Sequence, residues 1–342
     1  MTLPDNIAAW LAANDITQVW AVQGGTIASV IDAAERHPGI TVRYASNETA
    51  AAFACDGANR AAGRLIAAGM VTTGPGVGHL WPALMTSYGD RVPGVYIGGW
   101  PRARDQFQVD TQSWRRGNVR LYRVGLDDQE ADGEWDPPLP PAEYTRYIPK
   151  CFHDWIGRVK PFGGAELARA LNVIADHLPD DALVFSDAGL TLATAWTVLG
   201  DRIGDRFHGG WQQSSMGAAV PQAMGAAAAT GKVVVAITGD GSLQYQASTL
   251  ERLVYYDLPV LVVVLDNGGY GAIEQHQDGA LGGRHYGTSA QTGGPHIHNW
   301  WALAKAYGIT HGTVPVSGLT LDPADGQRAW DCSTPTLLRV VV

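Results

Sequence analysis

Hydrophobic and polar positions in the first hundred residues alternate between the spacing of helices and that of short buried strands. Apolar residues that recur every three or four positions predict helices, and short aliphatic or β-branched runs predict strands. In order, the pattern predicts a helix from residue 6, a strand at 19–22, a helix at 27–35, a strand at 41–44, a helix at 48–62, a strand at 65–72, a helix at 80–88 and a strand at 94–97. Such alternation is typical of a parallel sheet with helices on both faces.

The second half of the chain repeats this pattern. Helices are predicted at 165–177, 216–229, 243–255 and 300–307, and strands at 182–185, 233–237, 260–265 and 337–342. The segment between the halves, 101–161, is rich in prolines, charges and tryptophans without a sustained period, which predicts a linker with edge structure. A glycine-rich stretch at 278–295 has the composition of a mobile loop. We therefore expect an α/β protein with two doubly wound parallel-sheet domains, residues 1–150 and 151–342.

Composition and charge narrow the classes of function. A chain of 342 residues, 46% hydrophobic and 17% charged, is long and apolar enough for two folded cores. Its net charge of -9 lacks the basic surface that nucleic-acid binding needs. The three cysteines have no paired spacing, so we expect no disulfide. The N-terminus does not resemble a signal peptide and no apolar run has the length of a bilayer span, so we expect a cytoplasmic protein without membrane contact.

Two strands of the second half end in polar turns that contain glycine. Asp240 follows the first strand within a Gly-Asp-Gly turn, and Asn267 follows the next strand after one predicted helix. The carboxyl ends of parallel strands meet at one sheet edge, where ligands bind. A carboxylate, an amide oxygen and a backbone carbonyl, completed by diphosphate oxygens and water, suit octahedral Mg²⁺. Turns that form without any ligand are the alternative, because Asp-Gly and Asn-Gly are ordinary turn pairs.

These turns resemble the cofactor motif of the thiamine diphosphate (ThDP) enzymes, in which GDG is followed some two dozen residues later by an asparagine pair. Here the pair is Asp266 and Asn267, so aspartate replaces its first member. The resemblance implies the cofactors ThDP and Mg²⁺, with the metal bound by Asp240, Asn267 and the carbonyl of Gly269. The cofactor-binding residues that it implies are Glu48, Ser214, Met216, Gly239, Asp240, Gly241, Ser242, Asn267, Gly269, Tyr270 and Gly271.

Met216 lies in a Ser-Met-Gly segment that resembles the part of the family where a bulky apolar residue supports the bent cofactor. A methionine that only fills the core is the alternative at this position.

Glu48 is the candidate acid of the first half. It follows a predicted strand and begins an alanine-rich helix, where a carboxylate is costly to bury without a partner. An exposed glutamate that favours the helix dipole is the alternative. Residues 19–64 and 72–80 resemble the pyrimidine-binding domain of ThDP enzymes, and the resemblance implies that Glu48 shares a proton with the aminopyrimidine so that a ylide forms at the thiazolium ring. Many family members carry histidine where this chain has Asn47.

The resemblance also implies the assembly and the domain roles. Residues 1–150 would form the pyrimidine-binding domain and 151–342 the diphosphate-binding domain. Because the pyrimidine site of one subunit faces the diphosphate site of another in this family, a homodimer or a dimer of dimers is implied. The short interval between the halves leaves no room for the central third domain of most large ThDP decarboxylases. Chain size is similar to the phosphonopyruvate and sulfopyruvate decarboxylases, whereas residues 107–110 and 266–277 resemble acetohydroxyacid synthases.

The expected reaction is decarboxylation of a small 2-oxo acid through the ylide and an enamine. Carboligation, in which the enamine joins a second carbonyl compound, is the alternative. A non-catalytic subunit with the ThDP fold is a further alternative. A dinucleotide-binding oxidoreductase is disfavoured because no GxGxxG follows the first strand.

Several residues are candidates for substrate contact. His79, in the glycine turn near Glu48, and His276 would handle protons or a substrate carboxylate, unless they are histidines without a catalytic duty. The Gln23, Gly24 and Gly25 turn is a weaker candidate. Arg102 and Arg104 could bind an acidic tail or could be solvated linker charges.

Overall fold

The computed structural model describes residues 1–100, 114–116, 118–125, 136–158, 162–318 and 333–342. The chain divides into two compact units, Met1–Tyr147 with Ala228–Thr230, and Ile148–Ala227 with Gly231–Val342. Each unit contains one six-stranded sheet with flanking helices, so the predicted fold class of two parallel-sheet α/β domains is confirmed. The candidates Arg102 and Arg104, residues 107–110 and Cys332 lie outside the described residues.

The sheet of the first unit has the strand order β2-β1-β3-β4-β6-β5, and among the described residues only its β5–β6 pair is antiparallel. Its strands are β1 (Gln18–Ala21), β2 (Thr41–Tyr44), β3 (Ala67–Val71), β4 (Gly94–Trp100), β5 (Trp114–Arg116) and β6 (Val119–Gly125). Its helices are α1 (Leu3–Ala13), α2 (Ala28–Arg36), α3 (Glu48–Ala62), α4 (Pro75–Gly78) and α5 (Trp81–Gly89).

The sheet of the second unit is parallel throughout, with the order β11-β12-β10-β9-β7-β8. Its strands are β7 (Leu183–Ser186), β8 (Phe207–Gly209), β9 (Val234–Gly239), β10 (Val260–Asp266), β11 (Thr310–Pro315) and β12 (Thr336–Val341). Its helices are α6 (Lys150–Ile156), α7 (Gly164–Asp176), α8 (Leu190–Ile203), α9 (Ala219–Thr230), α10 (Asp240–Gln246), α11 (Thr249–Tyr255), α12 (Gly271–Leu281) and α13 (Trp300–Tyr307), with 3₁₀ turns at Gly204–Arg206, Ala290–Thr292 and Val316–Gly318.

The central strands are buried on both faces because helices cover the sheets. Every residue of β10 is buried, as its continuous aliphatic run predicts. In the first unit, the small alanine side chains of α3 allow the helix to pack closely, and its whole middle is buried. Near its end, the fully buried Arg60 donates hydrogen bonds to Asp56 and, at 2.9 Å, to Asp90. This paired charge network anchors α3 to the residues that follow α5.

The structure differs from the predicted elements in several places. The helix predicted at 216–229 begins only at Ala219, because Gly217 has a φ of +78° that a helix does not allow. The helix predicted at 243–255 is two helices, α10 and α11. Helix α12 extends into the stretch predicted as a loop, and the middle segment contributes β5 and β6. The helices α4, α6 and α8 and the strands β8 and β11 were not predicted.

Cys55 is buried and Cys151 is exposed, and both are free thiols. Within the described part of the chain, no helix combines the length and the apolar character that a membrane crossing requires.

Candidate active site

The two polar turns of the second unit lie side by side at the carboxyl edge of its sheet. Strands β9 and β10 are parallel neighbours, and Leu265 pairs with Gly239. Asp240 follows this register directly, and Asn267 follows after one more residue of β10. The sheet therefore brings together the carboxylate and the amide that the sequence predicted at one edge.

The Asn267 side chain connects these turns. One atom of its amide group lies 3.1 Å from Oδ1 of Asp240 and 3.0 Å from the carbonyl oxygen of Gly269. With the amide nitrogen at this position, Asn267 donates to both oxygens. With the amide oxygen there, it lies beside two other oxygens, and such a set of oxygen ligands suits a hard divalent cation. Among the described residues, no cluster of three or more His, Cys, Asp or Glu side chains forms a metal site, so the candidate site depends on an amide and a carbonyl in addition to Asp240.

Asp240 is a buried carboxylate close to a second acidic side chain, that of Asp266. Burial, and then the charge of Asp266, raise the pKa of Asp240 to about 7. The replacement of the usual asparagine by Asp266 therefore adds charge next to the site. Arg339 on β12 partly offsets that charge, because its Nε and Nη2 both lie 2.6 Å from Oδ2 of Asp266. The other oxygen of Asp266 accepts the backbone N–H of Gly268.

A cavity of about 560 Å³ opens beside the two turns, within the second unit. Nine residues predicted to bind cofactor line it, namely Ser214, Met216, Gly239, Gly241, Ser242, Asn267, Gly269, Tyr270 and Gly271. The tenth predicted residue of this unit, Asp240, is not among the lining residues and is buried against Asn267. None of the described lining residues is Asp, Glu, Lys, Arg or His. An anionic ligand would therefore rely on a metal ion and on backbone N–H groups.

Glycines let the turns approach the cavity closely. A Cβ at Gly241 would lie 2.5 Å from the ring of Tyr270, so only glycine allows that ring to cover the Gly-Asp-Gly turn. Burial, and then a hydrogen bond with Tyr245, raise the pKa of Tyr270 to about 12, so its phenol stays neutral. At Gly269 a Cβ would lie 2.0 Å from the carbonyl oxygen of Thr288.

One wall of the cavity is aromatic and comes from helix α6, which the sequence analysis placed in an irregular segment. Phe152 and Trp155 of α6 line the cavity together with Phe162 and Trp211. The rings of Phe152 and Trp211 meet edge to face, 4.9 Å apart between centroids. Because α6 is short and prolines precede it, its apolar pattern was not distinguishable from a linker.

The candidate acid of the first unit lies at the corresponding edge of the other sheet. Asn47 caps α3 by accepting the N–H of Ala50, which places Glu48 in the first helical position. The Glu48 side chain is 16% exposed, and its Oε2 lies 3.3 Å from Nδ1 of His79. At Gly76 a Cβ would lie 3.3 Å from Oε1 of Glu48, so the carboxylate rests against the glycine turn. The structure thus pairs Glu48 with His79.

The remaining candidates for substrate contact are the turn at residues 23–25 and His276. The turn with Gln23 and Gly24 follows β1 at the same edge as Glu48, and a Cβ at Gly24 would lie 2.4 Å from that of Thr72. Gln23 and Gly25 are exposed. His276 is exposed on α12 and is not among the lining residues of the cavity, whereas Ile273, one turn earlier, is.

The sequence analysis missed Asp187, a buried carboxylate at the end of β7. Its carboxylate accepts hydrogen bonds from the segment that carries Met216. The signal was present, because Asp187 follows a strand and precedes Ala-Gly, as Asp240 follows a strand and precedes Gly-Ser.

Comparison with known proteins assigns the family. Residues 1–118 match the family model of the thiamine pyrophosphate enzyme N-terminal TPP binding domain, and residues 187–340 match that of the C-terminal TPP binding domain. The chain is 31% identical over 189 residues to the acetolactate synthase large subunit of Parasynechococcus marenigrum (strain WH8102). The aligned region covers 54% of this chain and 29% of the relative.

The chain is also 39% identical over 95 residues to the acetolactate synthase isozyme 3 large subunit of Escherichia coli (strain K12). This aligned region covers 28% of this chain and 16% of the relative. The chain thus spans less than a third of the length of these curated relatives in the matched regions. The two domain matches together cover most strands of both sheets and the turns described above, and they confirm the predicted resemblance. The chain belongs to the thiamine pyrophosphate (thiamine diphosphate) enzymes.

Proposed function

We propose that this protein is a ThDP- and Mg²⁺-dependent enzyme that decarboxylates a small 2-oxo acid. The observation that carries the metal and cofactor part of the proposal is the position of the Asn267 amide, 3.1 Å from Oδ1 of Asp240 and 3.0 Å from the Gly269 carbonyl oxygen. An amide that turns its oxygen inward would complete a three-oxygen site of the kind Mg²⁺ prefers. A diphosphate in this cavity would need a metal ion to balance its charge, because none of the described lining residues is charged.

The described residues have distinct roles in this proposal. Asp240, Asn267 and Gly269 would hold the metal ion, and Met216 and Tyr270 would contact the cofactor rings or their linkage. When bound, ThDP supplies the nucleophilic carbon that adds to a 2-oxo acid and the electron sink that loss of CO₂ requires. Glu48 would exchange a proton with a ring nitrogen of the aminopyrimidine. His79, at 3.3 Å from Glu48, would orient that carboxylate or move a proton to and from it.

The family resemblance supports a site shared by two subunits, with Glu48 from one and the metal turns from the other. Mixing the inactive variants Glu48→Gln and Asp240→Asn under subunit exchange tests this directly. Each mixed dimer would contain one site with both native residues, so about a quarter of the native activity is expected to return. No recovery, despite exchange shown by mass spectrometry, would contradict a shared site.

The first test of function is cofactor binding followed by turnover. We expect saturable ThDP binding that requires Mg²⁺, measured by quenching of tryptophan fluorescence, since Trp211 lines the cavity. With pyruvate and larger 2-oxo acids, CO₂ release is expected from the native protein. Glu48→Gln should bind ThDP normally and lose turnover, whereas Glu166→Gln, in the first turn of α7, is the matched control and should keep it. Normal turnover in Glu48→Gln would refute the proposed proton transfer. It would also exclude the non-catalytic alternative, because the protein would still be an active enzyme.

Carboligation is the second candidate, and the relatives favour it. Both curated relatives above are acetolactate synthase large subunits. In that case the carbon fragment left after CO₂ loss would join a second carbonyl compound instead of being released as an aldehyde. Product analysis with and without an acceptor aldehyde or 2-oxo acid distinguishes the two. Free aldehyde equal to CO₂ supports decarboxylation, and a ligated product with little aldehyde supports carboligation.

A further inference from the structure

Asp187 is a buried carboxylate that the proposed reaction does not use. It is 1% exposed and lies immediately after β7. Its Oδ1 accepts the backbone N–H groups of Ala218 and Ala188, at 3.1 and 3.2 Å. Its Oδ2 accepts the N–H of Gly217 at 3.1 Å and the hydroxyl of Thr238 at 2.8 Å. One side chain therefore ties together the ends of β7 and β9 and the segment that precedes α9.

That segment, residues 210–218, forms part of the cavity wall. It connects β8 to α9, and its residues Ser214 and Met216 both line the cavity. Its backbone enters the left-handed region at two positions: Ser214, with a φ of +50°, is strained there, whereas Gly217, with a φ of +78°, is a residue type that tolerates it. A Cβ at Gly217 would also lie 2.7 Å from that of Tyr245. The strained backbone conformation of Ser214 persists only where surrounding contacts hold it.

An ionised carboxylate is the side chain that this arrangement requires. Four donors point at Asp187, and a carboxylate accepts hydrogen bonds at both oxygens without presenting a donor. An amide would turn an N–H₂ group towards two of the four donors, and at least one buried backbone N–H would lose its acceptor. Burial raises the pKa of Asp187 to about 6 although all four hydrogen bonds oppose that shift, so the group is mainly ionised above neutral pH.

We propose that Asp187 is a positioning residue that fixes the 210–218 segment in the conformation needed to bind ThDP. The proposal rests on the proposed function and deepens it. Asp187 acts through the backbone of Gly217 and Ala218, so that Met216 and Ser214 keep their places in the wall. It does not touch the cavity itself, as it is absent from the described lining residues.

The test compares ThDP binding by the full chain with saturating Mg²⁺ at a temperature well below unfolding. Asp187→Asn should raise the dissociation constant for ThDP about ten- to hundredfold, the size of loss seen when the hydrogen-bond partners that orient metal ligands are removed. The turnover number at saturating ThDP should fall far less than the affinity. Thr238→Val removes one of the four donors and should give a smaller loss. Asp201→Asn, the same substitution at an exposed position near the end of α8, is the matched control and should bind as the native protein does.

Three outcomes would overturn the proposal. If Asp187→Asn is folded and binds ThDP within twofold of the native protein, Asp187 is only structural. If that variant does not fold, unchanged affinity in Thr238→Val together with a lowered unfolding temperature leads to the same conclusion. If the native protein shows no Mg²⁺-dependent ThDP binding, the proposed function itself fails and the role of Asp187 fails with it, which separates the two cases.

Discussion

Replacing Arg339 with methionine removes the guanidinium that neutralises Asp266 and leaves the apolar stem in place. The perturbation is local, because Nε and Nη2 both contact Oδ2 of Asp266 at 2.6 Å. The stem would still pack near Trp300, whose ring centroid lies 5.3 Å from the guanidinium carbon in the native protein. Asp266 would keep the hydrogen bond from Gly268 and lose its cationic partner.

The expected loss follows from the burial of the pair. The Asp266 side chain is 9% exposed and that of Arg339 is 27% exposed. With charge centres about 4 Å apart and an effective dielectric constant of about 20, the attraction is about 4 kcal/mol. Solvent near the arginine and the cost of desolvating both groups reduce this, so we expect Arg339→Met to lower the free energy of unfolding by about 2 kcal/mol. Asp266→Asn should cost less, since an amide oxygen still accepts the N–H of Gly268.

The assay is a double-mutant cycle with chemical and thermal unfolding of the native protein, the two single variants and the double variant. The double variant should lose clearly less than the sum of the single losses, with a coupling of about 1 to 2 kcal/mol. Mg²⁺ affinity near neutral pH is a second measurement. It should rise in Arg339→Met, because the unopposed charge of Asp266 attracts a divalent cation more strongly than the single proton that competes at Asp240, and it should return towards the native value in the double variant. Losses that add within about 0.5 kcal/mol would refute the proposed coupling.

Three further predictions use other parts of the structure. Gly269→Ala places a Cβ 2.0 Å from a neighbouring carbonyl oxygen, so this variant should lose Mg²⁺-dependent ThDP binding. It should also unfold at a lower temperature than the control Gly268→Ala, whose Cβ would have no other atom within 4 Å. Arg60→Met should cost about 3 to 5 kcal/mol in denaturant unfolding, because two buried carboxylates lose their shared guanidinium, whereas Arg36→Met at an exposed ion pair should change little. The pKa of Asp240 is raised to about 7, so below this pH a proton competes with the metal ion for the carboxylate. Mg²⁺ affinity should therefore decrease about tenfold per pH unit below 7. An affinity that is constant from about pH 5.5 to 8 would contradict this prediction.

Most of the fold was predictable because its strands are short aliphatic runs bounded by turn residues. The run that forms β10 was predicted to within one residue, since Asp266 and Asn267 end it. Helix α8 was missed because its sequence is apolar on nearly every side, which removes the periodic pattern that indicates a helix. The start of α9 was predicted too early, because the backbone of Gly217 is fixed by tertiary contacts and not by helix propensity.

The candidate site was predictable as a set of strand-end turns and not as a network of contacts. Spacing placed Asp240 and Asn267 at one sheet edge, and the parallel register gives the same placement. The contact of Arg339 with Asp266 joins residues far apart in the chain, so no local pattern indicated it. The role of Asp187 depends on four donors from separate segments, and a sequence does not show which donors converge.

The register between β9 and β10 also determines how far apart the two turns lie. No flexible connection separates Asp240 or Asn267 from its strand, so their separation is governed by the interstrand spacing of the sheet, about 4.8 Å, and by their offset of one residue along the strands. Insertions in the outer helices or surface loops would therefore leave this spacing unchanged. A change of one residue within either strand would instead turn one of the two side chains to the opposite face of the sheet.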